Sequence, residues 1–314
     1  MVEHFWLLTI EDAVVNQQSC ENRRVNPFLI SVPAAVLATG GVAAYGAVHP
    51  RSQLFGPMIC RTNSPRKLAL TFDDGPNPAI TPKLLDLLDR YQARATFFLI
   101  GRFVRECPDL VKETVARGHV VGNHTELHPS LLRLSPLKIR VELRLCHNAI
   151  REAIGAPPKW FRPPYGRRNP WVVPAARELG CQTVLWTLLP GDWHEKPADW
   201  LVSRLQPIAD RAKKAQPATV EEKADPSASS RGGPRAEGRD DKMGKEKQGR
   251  QNDKRGVAAG GKSGDILCLH DGWHRELNAD RTRTLAALEH WLPRWRDLGL
   301  EFVTMDEAVR TSAS

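Results

Sequence analysis

The chain has 314 residues, 41% hydrophobic and 7% aromatic, enough to bury one large core or two smaller ones. The formal net charge is +9, but the stretch from Arg211 to Lys262 holds 14 Lys or Arg against 8 Asp or Glu, so most of the surplus sits in one segment and no nucleic-acid face is expected. The six cysteines (Cys20, Cys60, Cys107, Cys146, Cys181, Cys268) show neither CxxC nor metal-type spacing and read as small buried hydrophobes, with a disulfide through Cys60 left open.

Residues 1–27 are a lead segment that ends near Arg23 and Arg24. The next 21 residues, 28–48, carry no charge, and that length crosses a hydrocarbon core of about 30 Å as a helix. Basic residues on the N-terminal flank favour a cytoplasmic start and outward delivery of the C-terminal remainder. Gly40, Gly41 and the small residues after them also fit a signal-peptide cleavage region, and a buried core helix is a third reading. The expectation is a cell-membrane anchor with an extracytoplasmic domain, or a secreted or periplasmic protein if the segment is cleaved. Residues 49–66 read as a linker.

From Lys67 onward short apolar runs alternate with helical patterns. The predicted strands are KLALTF (from Lys67), ATFFLI (Ala95), HVVGN (His119), KWFR (Lys159), QTVLWT (Gln182), DILCLH (Asp265) and EFVTM (Glu301). A helix starts near Thr81. Another starts at Ser135-Pro136, an N-cap followed by Pro in the first turn, and carries Leu137, Val141, Leu145 and Ile154 near one face. A third covers about Arg281 to Arg296. Between 209 and 264 the periodicity stops, and the polar, Gly-, Pro- and Ser-rich sequence reads as a disordered insertion. The domain therefore spans 67–308 around that insertion, with 309–314 as a tail. Alternating βα units imply a mainly parallel α/β sheet with right-handed crossovers, and seven strands can close into a barrel.

The reactive side chains gather at strand ends. Asp73 and Asp74 follow Phe72, His124 and His128 follow the strand near Val121, Arg162 ends KWFR, Asp192 lies beyond QTVLWT and His270 ends DILCLH. In parallel barrels the C-terminal edge is where active sites assemble. His124 and His128 match neither HExxH nor HxxEH, because Thr125 and Leu127 stand where those motifs need Glu. With Asp74 they nevertheless make two imidazoles and one carboxylate, a catalytic set for Zn2+, Co2+ or another divalent metal that leaves a position for water. Asp73 is then the proton acceptor, Arg162 its cationic partner, and His270 the general acid, its pKa raised by Asp192. A helical HD phosphohydrolase reading of His270-Asp271 conflicts with the strand character of DILCLHD.

These residues resemble the polysaccharide deacetylases of the NodB-homology group, carbohydrate esterase family 4. TFDDGP (71–76), HTELHP (124–129), RPPYG (162–166), DW (192–193) and LHD (269–271) are similar to its five motifs, in order. The resemblance covers Lys67 to Ala308 without the insertion. It implies a distorted (β/α)7 barrel and a monomeric enzyme that removes acetyl groups from N-acetylglucosamine-type sugars of peptidoglycan or chitin-like glycans. An O-acetyl xylan esterase or a non-catalytic carbohydrate-binding relative are the alternatives. It further implies that the Tyr165 backbone N–H holds the oxyanion and that Trp193 lines the acetyl pocket. Two departures stand out: Cys268 replaces a frequent pocket Leu, and Leu189 replaces a frequent Asp.

Overall fold

The computed structural model describes residues 39–215 and 263–310. All seven predicted strands are present: β1 (Lys67–Gly75), β2 (Thr96–Leu99), β3 (Val120–Asn123), β4 (Trp160–Phe161), β5 (Gln182–Thr183), β6 (Asp265–His270) and β7 (Glu301–Val303). The helices are α1 (Thr81–Arg90), α2 (Gly101–Glu106), α3 (Pro108–Ala116), α4 (Pro136–Ile154), α5 (Val172–Glu178), α6 (Ala198–Lys214), α7 (Thr282–Asp297) and α8 (Met305–Val309). Every strand pair is parallel, in the order β5-β4-β3-β2-β1-β6, while β7 pairs with the first residues of β1. After β5 the chain leaves the sheet, and a parallel bridge from Leu188 to Leu267 carries it to β6. The result is the expected distorted barrel, curled and incompletely closed.

The pleat sorts the core. Leu68, Leu70 and Phe72 of β1 pack outward with Leu84, Leu85 and Leu88 of α1 and with Trp291 and Trp295 of α7. Residues of the opposite parity face the barrel interior, where Ala69, Phe98, Trp160, Ile266, Val303 and Met305 form an apolar floor. Higher on the same strands that parity holds Thr71 and Asp73 on β1, paired across to Cys268 and His270 on β6. The interior is thus apolar below and polar above. Below the floor, α8 starts at a Thr304/Glu307 capping box, and Asp306 accepts the Trp160 indole N–H at 2.6 Å.

Several boundaries differ from the sequence reading. Residues 49–66 are not a linker: Met58 and Thr62 are buried, and Ile59 forms a parallel bridge to Val184 that extends the sheet beyond β5. α6 runs to Lys214, past the position where periodicity was expected to end, because Ala209 and Ala212 are buried and Arg211 pairs with Asp265 at 2.7 Å. The rest of the expected insertion, 216–262, lies outside the described residues, as does the tail from 311. α4 presents a different face from the one expected. Leu137, Val141 and Leu145 are 71%, 47% and 45% exposed, whereas Ile139, Leu143, Cys146 and Ile150 are buried, and of the expected residues Ile154 alone packs against that core. Both stripes are apolar at helical spacing, but the first stops at Leu145 and the second continues to the helix end.

Of the apolar stretch 28–48, only 39–48 is described, as a helix. Its end packs on the barrel: Ala47 is buried, and its carbonyl accepts the Arg168 N–H at 3.1 Å. Among the described residues no helix is long and apolar enough to cross a membrane. No described cysteine is in a disulfide; Cys146, Cys181 and Cys268 are buried, as expected, while the Cys60 thiol donates to the Pro50 carbonyl at 3.0 Å.

β1 ends in a register shift between Asp73 and Gly75, with Asp74 at φ 71°. Gly272, past β6, lies under this turn: a Cβ there would meet the Asp74 carbonyl oxygen at 2.1 Å. Backbone cannot yield as a flexible side chain does. Gly272→Ala is expected to destabilise the fold by about 1–3 kcal/mol in chemical denaturation.

Candidate active site

Asp73 and Asp74 would project to opposite faces of a regular strand. The left-handed Asp74 and the bulge beside it bring both carboxylates into the same cleft. His124 follows β3, and the chain then turns at Thr125 (φ 69°) and His128 (φ 60°), so the pair sits on a tight loop and not on a helix. Thr125 Oγ1 accepts the His128 N–H at 3.0 Å, and Glu142 of α4 accepts the N–H groups of Glu126 and Leu127. These bonds aim both imidazoles at Asp74. Its Oδ1 lies 3.5 Å from His124 Nε2 and 3.2 Å from His128 Nε2.

This trio fits a divalent cation. His124 Nδ1 donates to the Arg162 carbonyl at 2.8 Å, which leaves the Nε2 lone pair directed at the cleft. Burial pushes the His128 imidazole down to about 3, so it is neutral. Burial opposes ionisation of Asp74, but a hydrogen bond from His274 and the charge on His270 outweigh it and hold the carboxyl below the usual range. Asp74 Oδ1 is buried without a hydrogen-bond partner, as is His128 Nδ1. An unpartnered buried carboxylate oxygen facing two imidazoles is a ligand set.

Asp73 is held from the other side. Arg162 Nη1 donates to its Oδ1 and to Thr71 Oγ1, both at 2.7 Å, and the guanidinium lies over the Phe98 ring at 4.1 Å. With Arg162 fully buried, Oδ1 is committed to the guanidinium. The free Oδ2 faces His124 Nε2 at 3.8 Å, and the Cys268 thiol donates to it at 3.3 Å. Cys268, expected to be an apolar lining, thus also touches the proton acceptor. Burial keeps it a thiol, its pKa raised well above the ordinary value.

Across the cleft, Asp192 Oδ1 lies 2.8 Å from His270 Nδ1, and Asp192 Oδ2 accepts the His270 backbone N–H at 2.7 Å and the Thr284 hydroxyl at 3.1 Å. Burial alone would discharge His270, but the Asp192 carboxylate wins and pushes its pKa up to about 9. The Trp193 ring meets His270 edge-on at 5.3 Å. Tyr165, at φ 59°, packs its ring edge-to-face with His128, the ring centres 4.6 Å apart. Asp271 faces away from the cleft: it accepts the Thr81 hydroxyl beneath the β1 turn, and burial pushes its carboxyl up to about 7.

The structure therefore brings together all ten side chains singled out from the sequence: eight of them and Leu189 line one cavity of about 620 Å3, while Arg162 and Asp192 bond to Asp73 and His270 from outside its lining. Sequence reasoning missed His274. Its N–H donates to Asp74 Oδ2 at 3.3 Å, its ring stacks on His128 at 4.3 Å, and Nε2 lies 3.3 Å from the Tyr165 hydroxyl. It sits in an irregular turn with no strand or helix pattern, and its closeness in sequence to His270 was the one signal available. Thr71 was missed although it opens TFDDGP, because a threonine inside a strand run reads as structural, and Thr284 was missed because it lies in no motif.

The family model described as polysaccharide deacetylase matches residues 61–184. A peptidoglycan-N-acetylglucosamine deacetylase of Bacillus cereus is 34% identical over 248 residues, covering 79% of this chain and 90% of that protein. A chitooligosaccharide deacetylase of a Bradyrhizobium species is 42% identical over 139 residues, 44% of this chain and 64% of its own length. Among solved structures, the Bc1960 peptidoglycan N-acetylglucosamine deacetylase, in complex with an N-hydroxybenzamide, aligns at 25% identity and a TM-score of 0.57 over 81% of this chain and 93% of its own. With the assembled site and these likenesses, the chain belongs to the polysaccharide deacetylase family.

Proposed function

We propose that the protein is a divalent-metal-dependent deacetylase that hydrolyses the acetamide of N-acetylglucosamine units in peptidoglycan or a chitin-like glycan, and that it works outside the cytoplasm. The observation that carries this reading is the division of one cleft. A carboxylate locked to a buried guanidinium stands on one side, an imidazole charged by a buried carboxylate on the other, and the Asp74, His124, His128 set lies between them. The relatives named for N-acetylglucosamine glycans support the substrate class. The uncharged stretch 28–48 supports delivery across a membrane, as an anchor or a cleaved signal.

Asp74, His124 and His128 would hold the cation, Zn2+ being the leading candidate from the ligand types. When bound, it supplies a Lewis acid that acidifies water and polarises a carbonyl oxygen. Asp73 Oδ2 accepts the proton of the water that adds to the acetamide carbonyl carbon. Arg162 holds Asp73 in orientation, and the Tyr165 N–H donates to the oxyanion. His270, protonated at neutral pH, gives its proton to the departing amine as the C–N bond breaks, which yields acetate and a free amino sugar. Trp193 offers an apolar wall to the acetyl methyl, and Cys268 closes the pocket from the side of Asp73.

Incubated with Zn2+ or Co2+, the protein is expected to release acetate from N-acetylglucosamine oligomers or wall glycan, and Asp73→Asn to lower the rate about 10²–10⁴-fold. Phosphoester hydrolysis without acetate release would sink the assignment. Because Asp192 holds the proton on His270, wild-type kcat/KM should fall as pH rises past about 9, once His270 loses its proton. Asp192→Asn leaves burial to dominate, so that limb of the pH profile should move to lower pH. Zn2+ at a hundredfold excess over Kd should stabilise the fold by about 2.7 kcal/mol. Thermal denaturation of His128→Ala should show most of that gain lost.

A further inference from the structure

We propose that Asp73, Cys268 and His270 form a second divalent-cation site, distinct from the Asp74, His124, His128 set, whose occupation inhibits the enzyme. One ligand atom from each of the three residues lies within 4.8 Å of the other two. Asp73 and His270 are paired across β1 and β6, and Cys268 faces the same interior from two residues earlier on β6. The donors therefore stand on adjacent rigid strands and not on loops. Asp73 Oδ2 and Cys268 Sγ are 3.3 Å apart. His270 Nδ1 is committed to Asp192, which leaves Nε2 as its ligand atom. Carboxylate, thiolate and imidazole are the three side-chain ligand types of zinc, and thiolate adds selectivity for soft ions.

Cys268 makes this possible. An aliphatic side chain at this position would offer no donor. As the sulfur–metal bond forms, the thiol proton leaves for solvent, and His270 likewise gives up its ring proton. Both displacements cost free energy, and a cation held by Asp74, His124 and His128 repels a second one in the same cleft. The second site is consequently weaker than the first and fills in metal excess. Filling it removes the proton acceptor and the proton donor of the proposed reaction together.

The test is titration of the full chain with Co2+, monitored by absorption spectroscopy and by equilibrium dialysis with elemental analysis. The first equivalent should give visible d–d absorption without a thiolate band. Further Co2+ should add a thiolate-to-cobalt charge-transfer band in the near ultraviolet and bring uptake to two equivalents. Cys268→Ser and Cys268→Leu should keep the first equivalent, which also reports that they fold, and lose both the band and the second. In wild type, activity in excess Zn2+ should drop relative to activity at one equivalent, and that ratio should recover in the variants. Uptake that stops at one equivalent in wild type overturns the proposal, as does a charge-transfer band that survives in Cys268→Ser. The uptake arms do not depend on the deacetylase reading; if they succeed while no acetate is released from any glycan, the failure belongs to that reading and not to the second site.

Discussion

Neighbouring residues of a β-strand point to opposite faces of its sheet, and this cleft requires Asp73 and Asp74 on the same face. The conflict is resolved within one residue, by the positive φ of Asp74 and the register shift that accompanies it. Left-handed backbone costs a non-glycine residue about 1–3 kcal/mol, which persists when surrounding structure over-determines it. Here the surroundings are specific. Gly272 passes close beneath the Asp74 carbonyl, and Gly75 leaves room for the Asp271 carboxylate. Asp271 and Gly272 both donate their N–H groups to the Asp73 carbonyl. The turn after β6 thus serves as a mould for the end of β1, and everything placed around the paired carboxylates inherits its position from that contact.

The second organising principle is electrostatic. His128 and His270 line one cavity, yet burial takes one down to about 3 in spite of the Asp74 carboxylate beside it, while the hydrogen-bonded Asp192 carboxylate takes the other up to about 9. One imidazole is prepared as a lone-pair donor and the other as a proton donor. Titratable groups driven apart by their surroundings mark the division of chemical roles in a site. Arg162 does the equivalent for the carboxylates by committing one oxygen of Asp73 and leaving Asp74 Oδ1 without a partner.

Much of this was legible in the sequence because strand ends are legible. An apolar run broken by Asp73, by His270 or by Arg162 announces both the strand and the edge on which its last residue stands, and seven such runs sufficed for the barrel. Contacts made by residues outside such runs were not legible. His274 reaches Asp74 from a turn 200 positions away, and the Phe98 ring that carries Arg162 looks like any core phenylalanine. On α4 two apolar stripes competed, and the choice between them was made by the sheet and by neighbouring helices, which local periodicity does not contain. Residues 49–66 lack periodicity because their order comes from single partners, such as Val184 for Ile59 and Pro50 for Cys60.

Ala215 and Ser263, which flank residues 216–262, line one hollow together with Lys67 and Leu68 at the start of β1. Asp73 lies six residues further along that strand, roughly 20 Å away at the usual strand rise. Closing a longer loop between two such fixed ends costs free energy that grows only with the logarithm of its length. Chain can therefore be added or lost at this rim, with whatever charge it carries, while the carboxylates at the far rim stay in register. The fold separates a place where evolution is free to write from a place where a single added methyl group already collides.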